Sequence, residues 1–235
     1  MGLSGRAVID DVSVLAQTFA AEFTAHAADS IARRGKFVVG LPGGSVATTF
    51  LPLLAAQSVD WRRIDLFWID ERAVPPDHPD SNYGIASKLL LAPARVPGPS
   101  VHRMHGELPD LELAARRASD DLTSIAGDPP RLDLALVGVG PDGHVASIFP
   151  GVVAPSASSP VIAIYDAPKP PSRRLTMTLP VLADAGVVVV AAFGASKMMA
   201  MRGALDESDK TSPVARLLSR ASSSLVLLDR EAGHE

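Results

Sequence analysis

Residues 133–151 read Asp133-Leu-Ala-Leu-Val-Gly-Val-Gly-Pro-Asp-Gly-His-Val-Ala-Ser-Ile-Phe-Pro-Gly151. The short apolar run from Leu132 to Val137 has the pattern of a buried strand. Gly138 and Gly140 then let the backbone turn sharply and leave it uncovered. Asp142 and His144 follow at the carboxyl end of that strand, where an open parallel sheet places its ligands. A histidine beside a carboxylate on a bare glycine turn has the chemistry of a general base. The same residues would also suit a solvated loop that happens to carry a histidine.

The flanking sequence repeats the pattern of strand, polar turn and helix. Phe37 to Leu41 reads as a buried strand ending in Pro42-Gly43-Gly44-Ser45, with a helix opening near Val46. Ile64 to Ile69 reads as another, ending in Asp70-Glu71-Arg72. Ser81-Asn82 can cap a helix through Leu91. Asp10 or Asp11 can cap a first helix to about Arg34, with Val14, Leu15, Phe19, Phe23 and Ile31 on its apolar side. A helix is expected over Leu111–Ile125. Further strands are expected at Val161–Tyr165, Leu175–Thr178, Gly186–Phe193 and Ser224–Leu228. Helices fit Pro180–Ala185, Ala195–Leu205 and Pro213–Arg220, the last capped by Ser212. Alternating strands and helices argue for an α/β fold with a mostly parallel sheet covered on both faces. The Ser-, Ala- and Pro-rich stretch Val152–Pro160 reads as a mobile loop.

Composition narrows the function classes. The chain has 235 residues, 47% hydrophobic and 20% charged, enough apolar content for a sizeable core. Its net charge is -4 and it has no basic cluster longer than a pair, so nucleic acid and anionic membranes are not expected partners. It has no cysteine, which excludes disulfides, thiolate catalysis and cysteine-based metal sites. No two-histidine spacing points to a metal either. No apolar stretch approaches the ~20 residues of a membrane span, and no signal peptide is evident at the amino terminus. A cytoplasmic protein is the expectation.

The polar motifs gather at strand ends. Pro42-Gly43-Gly44-Ser45 can be a tight structural turn or an anion cradle of bare amides at a helix amino terminus, with the Ser45 hydroxyl as a further donor. Asp70-Glu71-Arg72 can be a solvated charge run, or Arg72 can meet an anion or developing negative charge. Ser81-Asn82 reads first as a helix cap. Lys197 stands at a helix start, where a cation is unfavourable without an anion nearby. A solvated lysine is the other reading. Arg173 and Arg174 follow the stiff cluster Pro168–Pro171. His102 and His105 flank a turn and read as surface residues.

Together these residues resemble the glucosamine-6-phosphate isomerase/6-phosphogluconolactonase family. The likeness is carried by Pro42–Ser45, Asp70–Arg72 with Ser81-Asn82, Gly138–His144 with Ser147–Gly151, Pro170–Thr178, and Gly194-Ala-Ser-Lys197. It covers nearly the whole chain in order. The Gly-Pro-Asp-Gly-His block with its Ser-Ile-Phe-Pro-Gly tail is the specific part. The resemblance implies a doubly wound sheet with a small appended substructure, in one catalytic domain over residues 1–235. It implies hydrolysis of 6-phospho-D-glucono-1,5-lactone in the oxidative pentose phosphate pathway, with no cofactor or metal. Deaminases of the family typically carry Asp-Glu-Tyr where this chain has Asp70-Glu71-Arg72, and a glutamate near Ser147-Ile148-Phe149. Both departures favour the lactonase over an amino-sugar-phosphate deaminase or isomerase. A non-catalytic sugar-phosphate sensor is the remaining alternative.

In that reading His144 is the base, Asp142 orients it or contacts substrate, and Arg72 helps stabilise the oxyanion. Gly43, Gly44, Ser45, Asp70, Asn82, Arg174 and Lys197 hold the substrate. Register with the family favours Arg174 over Arg173 at the phosphate. The expected partner is a small phosphorylated sugar lactone. The oligomeric state stays open, with a monomer compatible.

Overall fold

A computed structural model describes residues 5–151 and 159–233. Ten strands form two sheets: β1 Gly5–Ile9, β2 Phe37–Leu41, β3 Ile64–Trp68, β4 Asp70–Arg72, β5 Val101–His102, β6 Leu134–Gly138, β7 Val161–Ile164, β8 Arg174–Met177, β9 Val187–Ala192 and β10 Ser224–Leu228. The helices are α1 Val12–Arg34, α2 Gly44–Ala55, α3 Asn82–Ala86, α4 Leu111–Ala126, α5 Leu179–Ala183, α6 Met198–Leu205, α7 Pro213–Arg220 and α8 Arg230–Gly233.

The large sheet runs β1-β10-β9-β6-β2-β3-β5, and every neighbouring pair is parallel. Its central strands alternate between two cores. Phe37, Val39 and Leu41 join Phe19 and Phe23 of α1 and Phe50 of α2 on one face. Val38, Ala135 and Val137 join α4, α6 and α7 residues on the other. Burial on both faces explains why these strands read as unbroken apolar runs. Phe19 and Phe50 stack with centroids 4.9 Å apart, and each such ring contributes about 1.5–3 kcal/mol on burial.

From β2 the chain winds outward through β3 to β5. It then returns to lay β6 on the other side of β2 and winds the opposite way. The strand order therefore reverses between β2 and β6, which sets the turns after Leu41 and Gly138 side by side. Such a switch point is where doubly wound sheets hold ligands.

The appended substructure is an antiparallel sheet, β4-β8-β7. The sequence reading extends one strand to Ile69, but the chain changes sheets there. Ile69 N–H donates to Leu41 O at 2.9 Å, and its carbonyl accepts from Met177 N–H at 2.8 Å. Asp70, Arg72, Arg174 and Thr176 then share one face, with Arg72 directly opposite Arg174.

Other expectations change as well. The edge strand β1 was not foreseen, being five residues with little internal pattern. Val14 is 37% exposed and stands off the apolar face of α1. His102 is no turn residue: it lies on β5, its Nε2 is 2.9 Å from Asp65 and its ring stacks on Phe67. The loop reading for Val152–Pro160 falls mostly on residues 152–158, outside the described residues. Among the described residues no helix is long and apolar enough to cross a membrane.

Candidate active site

A cavity of about 130 Å³ opens at the switch point. Gly43, Gly44, Ser45, Asp70, Arg72, Asn82, His144, Arg174 and Lys197 all line it. These residues span more than 150 positions and six separate segments of the chain, and the topology alone brings them together.

The turn after β6 is built around the histidine. Gly140 N–H donates to His144 O at 2.9 Å, and Gly143 N–H to Gly140 O at 2.9 Å. A Cβ on Gly140 would lie 1.9 Å from His144 Nδ1, so a side chain there would displace the imidazole. Asp142 Oδ1 lies 2.5 Å from His144 Nδ1. Asp142 is not among the cavity-lining residues; its carboxylate faces the histidine from behind. With Nδ1 taken, Nε2 has no hydrogen-bond partner among the described residues. The Phe149 ring packs against the imidazole, centroids 4.6 Å apart.

Burial holds His144 below its ordinary value of 6.5, and the Lys169 charge adds to that, while Asp142 and Asp70 oppose it. The neutral, proton-accepting imidazole is therefore favoured near pH 7. Burial pushes the Asp142 carboxyl up, but the His144 hydrogen bond, the His144 charge and backbone hydrogen bonds together outweigh it and leave the group lowered.

The acidic-basic triplet divides by strand alternation. Glu71 points away from the cavity and is buried, accepting from Asn82 N–H and Tyr83 N–H at 2.8 Å each and from Ser81 Oγ at 3.1 Å. It thereby satisfies the first amides of α3, while Ser81 Oγ also accepts from Gly84 N–H at 3.0 Å. Burial raises the Glu71 carboxyl despite these bonds. Asp70 and Arg72 face the cavity. Asp70 accepts from Ser147 Oγ at 2.7 Å and from Asn82 Nδ2 at 3.1 Å. Arg72 donates from Nη1 to Asp80 O at 2.5 Å, and its buried Nε has no partner among the described residues.

Asn82 is wholly buried, and its Oδ1 too has no partner among the described residues. A Cβ on Gly43 would sit 1.7 Å from that oxygen, so the glycine turn and Asn82 require each other. Gly44 opens α2 with φ +64, and its neighbour Ser45 lies at the positive end of the helix.

Arg174 lines the cavity but is also structural. Its Nε donates to Pro171 O at 2.9 Å and its Nη2 to Lys169 O at 3.0 Å, and it lies 4.0 Å from Asp70. Burial and the facing Arg72 work against its charge, Asp70 for it. Arg173 lies over the Tyr165 ring instead. Lys197 is half-buried; burial and Lys169 hold its amine below the usual lysine value. Three cations meet essentially one carboxylate at the cavity wall. Like charges opposite one another on a sheet are unfavourable, and an anion removes the conflict.

Sequence reasoning missed Ser147, Phe149 and Lys169. Ser147 is fully buried and joins the β6 loop to the small sheet through Asp70 and Thr176 Oγ1. The Ser-Ile-Phe tail was visible, but which of its side chains faces histidine depends on the fold. Among the described residues no group of three or more histidine, aspartate or glutamate side chains could hold a metal ion.

A family model described as "Glucosamine-6-phosphate isomerases/6-phosphogluconolactonase" matches residues 10–227. The chain is 36% identical over 212 residues to 6-phosphogluconolactonase 3, chloroplastic, of Arabidopsis thaliana, covering 82% of this chain and 64% of that protein. It thus spans about two thirds of the length of that plant relative. It is 37% identical over 214 residues to the 6-phosphogluconolactonase of Mycobacterium tuberculosis, covering 86% of each. The crystal structure of 6-phosphogluconolactonase from Thermotoga maritima superposes with a TM-score of 0.84 at 26% identity, covering 96% of this chain and 99% of that one. With the switch-point cavity, the Gly-Pro-Asp-Gly-His turn and these matches in hand, the chain belongs to the glucosamine-6-phosphate isomerase/6-phosphogluconolactonase family.

Proposed function

We propose that this chain hydrolyses 6-phospho-D-glucono-1,5-lactone to 6-phosphogluconate. One observation carries the reading: a neutral-leaning His144, held through Nδ1 by Asp142, opens on a cavity whose charged wall is mostly cationic. A lactone carbonyl is already electrophilic, so water, a base and an oxyanion partner suffice. His144 Nε2 takes a proton from water as the oxygen attacks C1. The resulting imidazolium, steadied by Asp142, returns the proton to the departing ring oxygen. Arg72 and the amides of the glycine turns stabilise the tetrahedral oxyanion.

The phosphate is held by Gly44, Ser45, Lys197 and Arg174, and Asp70 and Asn82 receive sugar hydroxyls. Asn82 Oδ1 and Arg72 Nε, unpaired among the described residues, are the buried groups that a polyhydroxylated anion would satisfy. Phe149, against the imidazole, offers no proton, which favours hydrolysis over an isomerase or deaminase relay. Residues 1–235 form a single catalytic domain acting in the cytoplasm.

The test generates the lactone with glucose-6-phosphate dehydrogenase and follows acid release with and without the protein. Acid release well above the spontaneous rate is expected. Ammonia release from glucosamine 6-phosphate, with no effect on the lactone, would assign the site to a deaminase.

A further inference from the structure

Lys169 lies in the proline-rich loop between β7 and β8, and its backbone is fixed to the candidate site. Arg174 donates to the carbonyls of Lys169 and Pro171, at 3.0 and 2.9 Å. Ala167 N–H closes the loop on Ser172 O at 2.9 Å. Ala167 itself is buried with Phe149, Ile162 and Ile164, and Phe149 is the ring that packs on His144. The loop therefore cannot shift far without moving the wall of the cavity. The Lys169 side chain, by contrast, is exposed.

Its ammonium acts electrostatically on both His144 and Lys197, lowering the proton affinity of each. Asp142 and Asp70 act in the opposite sense on His144, and Asp142 does so on Lys197. Among the described residues neither Lys169 nor Lys197 is ion-paired with a carboxylate. Lys169, on the loop that Arg174 of the cavity wall holds by its backbone, works against the charge of both the cavity lysine Lys197 and the imidazolium. A phosphate dianion turns these interactions favourable.

Resting on the lactonase reading for the ligand's identity, we propose that Lys169 is a further phosphate-binding cation, acting with Lys197 to select phosphorylated over plain sugar lactones. Being exposed, it supplies charge at low desolvation cost and meets the incoming dianion at the entrance. Lys197 and the Gly44-Ser45 turn hold it further in. The rigid proline loop limits the entropy lost in holding the lysine there.

The experiment compares wild type, Lys169→Ala and Lys169→Arg on 6-phosphogluconolactone and on plain gluconolactone. For Lys169→Ala the KM for the phosphorylated lactone is expected to rise about 5–10-fold, the scale of one partly exposed charge contact. Its kcat should change much less, the loss on plain lactone should be smaller, and Lys169→Arg should recover most of the affinity. The acid limb of kcat/KM should move to higher pH in Lys169→Ala, because a cation that disfavours imidazolium is gone. Equal losses on both lactones, or an unmoved KM and acid limb, would overturn the proposal. Calorimetric binding of inorganic phosphate to the same proteins separates the two readings. A wild type that hydrolyses no lactone yet binds phosphate more tightly than Lys169→Ala sinks the lactonase and keeps the site. A wild type with full lactonase activity and the same phosphate affinity as Lys169→Ala sinks the site alone.

Discussion

His144 and His102 are alike in almost every local respect. Each has a ring nitrogen on an aspartate, at 2.5 Å from Asp142 and 2.9 Å from Asp65, and each side chain is 16% exposed. They differ in which nitrogen is used and in what the rest of the ring meets. His144 is held by Nδ1 and leaves Nε2 on the cavity wall with no partner among the described residues. His102 is held by Nε2, and its ring stacks flat on Phe67, whereas Phe149 lies tilted against His144 at the same 4.6 Å. The groove beside His102 is the larger, about 540 Å³ against about 130 Å³, yet its charge is already neutralised. Arg103 makes a two-pronged bond to Glu107 at 2.7 and 2.9 Å, and the Arg103 hydrogen bond holds that carboxyl at about 2. A histidine–aspartate pair and a large groove are therefore not enough to make a site. What distinguishes the smaller cavity is charge without a partner.

The comparison breaks most sharply on removing each histidine. His144→Ala should lower turnover of the phosphorylated lactone by about 10²–10⁴-fold, the range for loss of a general base, while the protein stays folded. His102→Ala should leave turnover nearly unchanged and cost about 1–2 kcal/mol of stability, from a lost stack and hydrogen bond. Paired activity and thermal unfolding measurements check both. Similar turnover losses in the two variants would erase the distinction.

The cations give the next largest contrast. Lys197→Ala should raise KM for the phosphorylated lactone about 10–100-fold, the scale of a charge-assisted hydrogen bond, and cost far less on plain gluconolactone. Arg103→Ala, in the neutralised groove, should move neither KM. Lys197 is a cleaner probe than Arg174, whose loss would also release the Lys169 and Pro171 carbonyls. If Lys197→Ala loses equally on both lactones, the lysine serves chemistry or folding rather than the phosphate.

Much of this was legible in the chain because two-sided burial writes parallel strands as apolar runs. Most of the large-sheet strands and the capping of α7 by Ser212, whose Oγ accepts from Ala215 N–H at 3.3 Å, follow from local pattern and turn chemistry. The short strands did not. β4 and β5 have three and two residues, and only tertiary pairing defines them. Asp70-Glu71-Arg72 was visible as a triplet, but that Glu71 faces α3 while its neighbours face the cavity follows from strand alternation within a second sheet. The neighbours of His144 were hidden for the same reason: the contacts of Phe149, Ser147 and the Lys169 loop are long-range.

The smallest effect lies in the groove. Glu107 has a lowered folded value, so its pair with Arg103 stabilises the fold above the ordinary 4.5 and fades as pH falls through about 2. Glu107→Gln should cost less than ~1 kcal/mol at pH 7, with no change in activity, and the difference from wild type should vanish near pH 2. Thermal unfolding across that range reads it. A gap that widens on acidification would contradict the pairing.

The pH dependence of kcat/KM for the phosphorylated lactone tests the central claim most directly, measured on wild type and on folded His144→Gln. Burial favours neutral His144, so the wild-type rate should rise with pH through an apparent pKa below 6.5 and be level at neutrality. The limb should be absent from the residual activity of His144→Gln. A limb that survives the substitution, or a wild-type limb above 6.5, would show that another group accepts the proton.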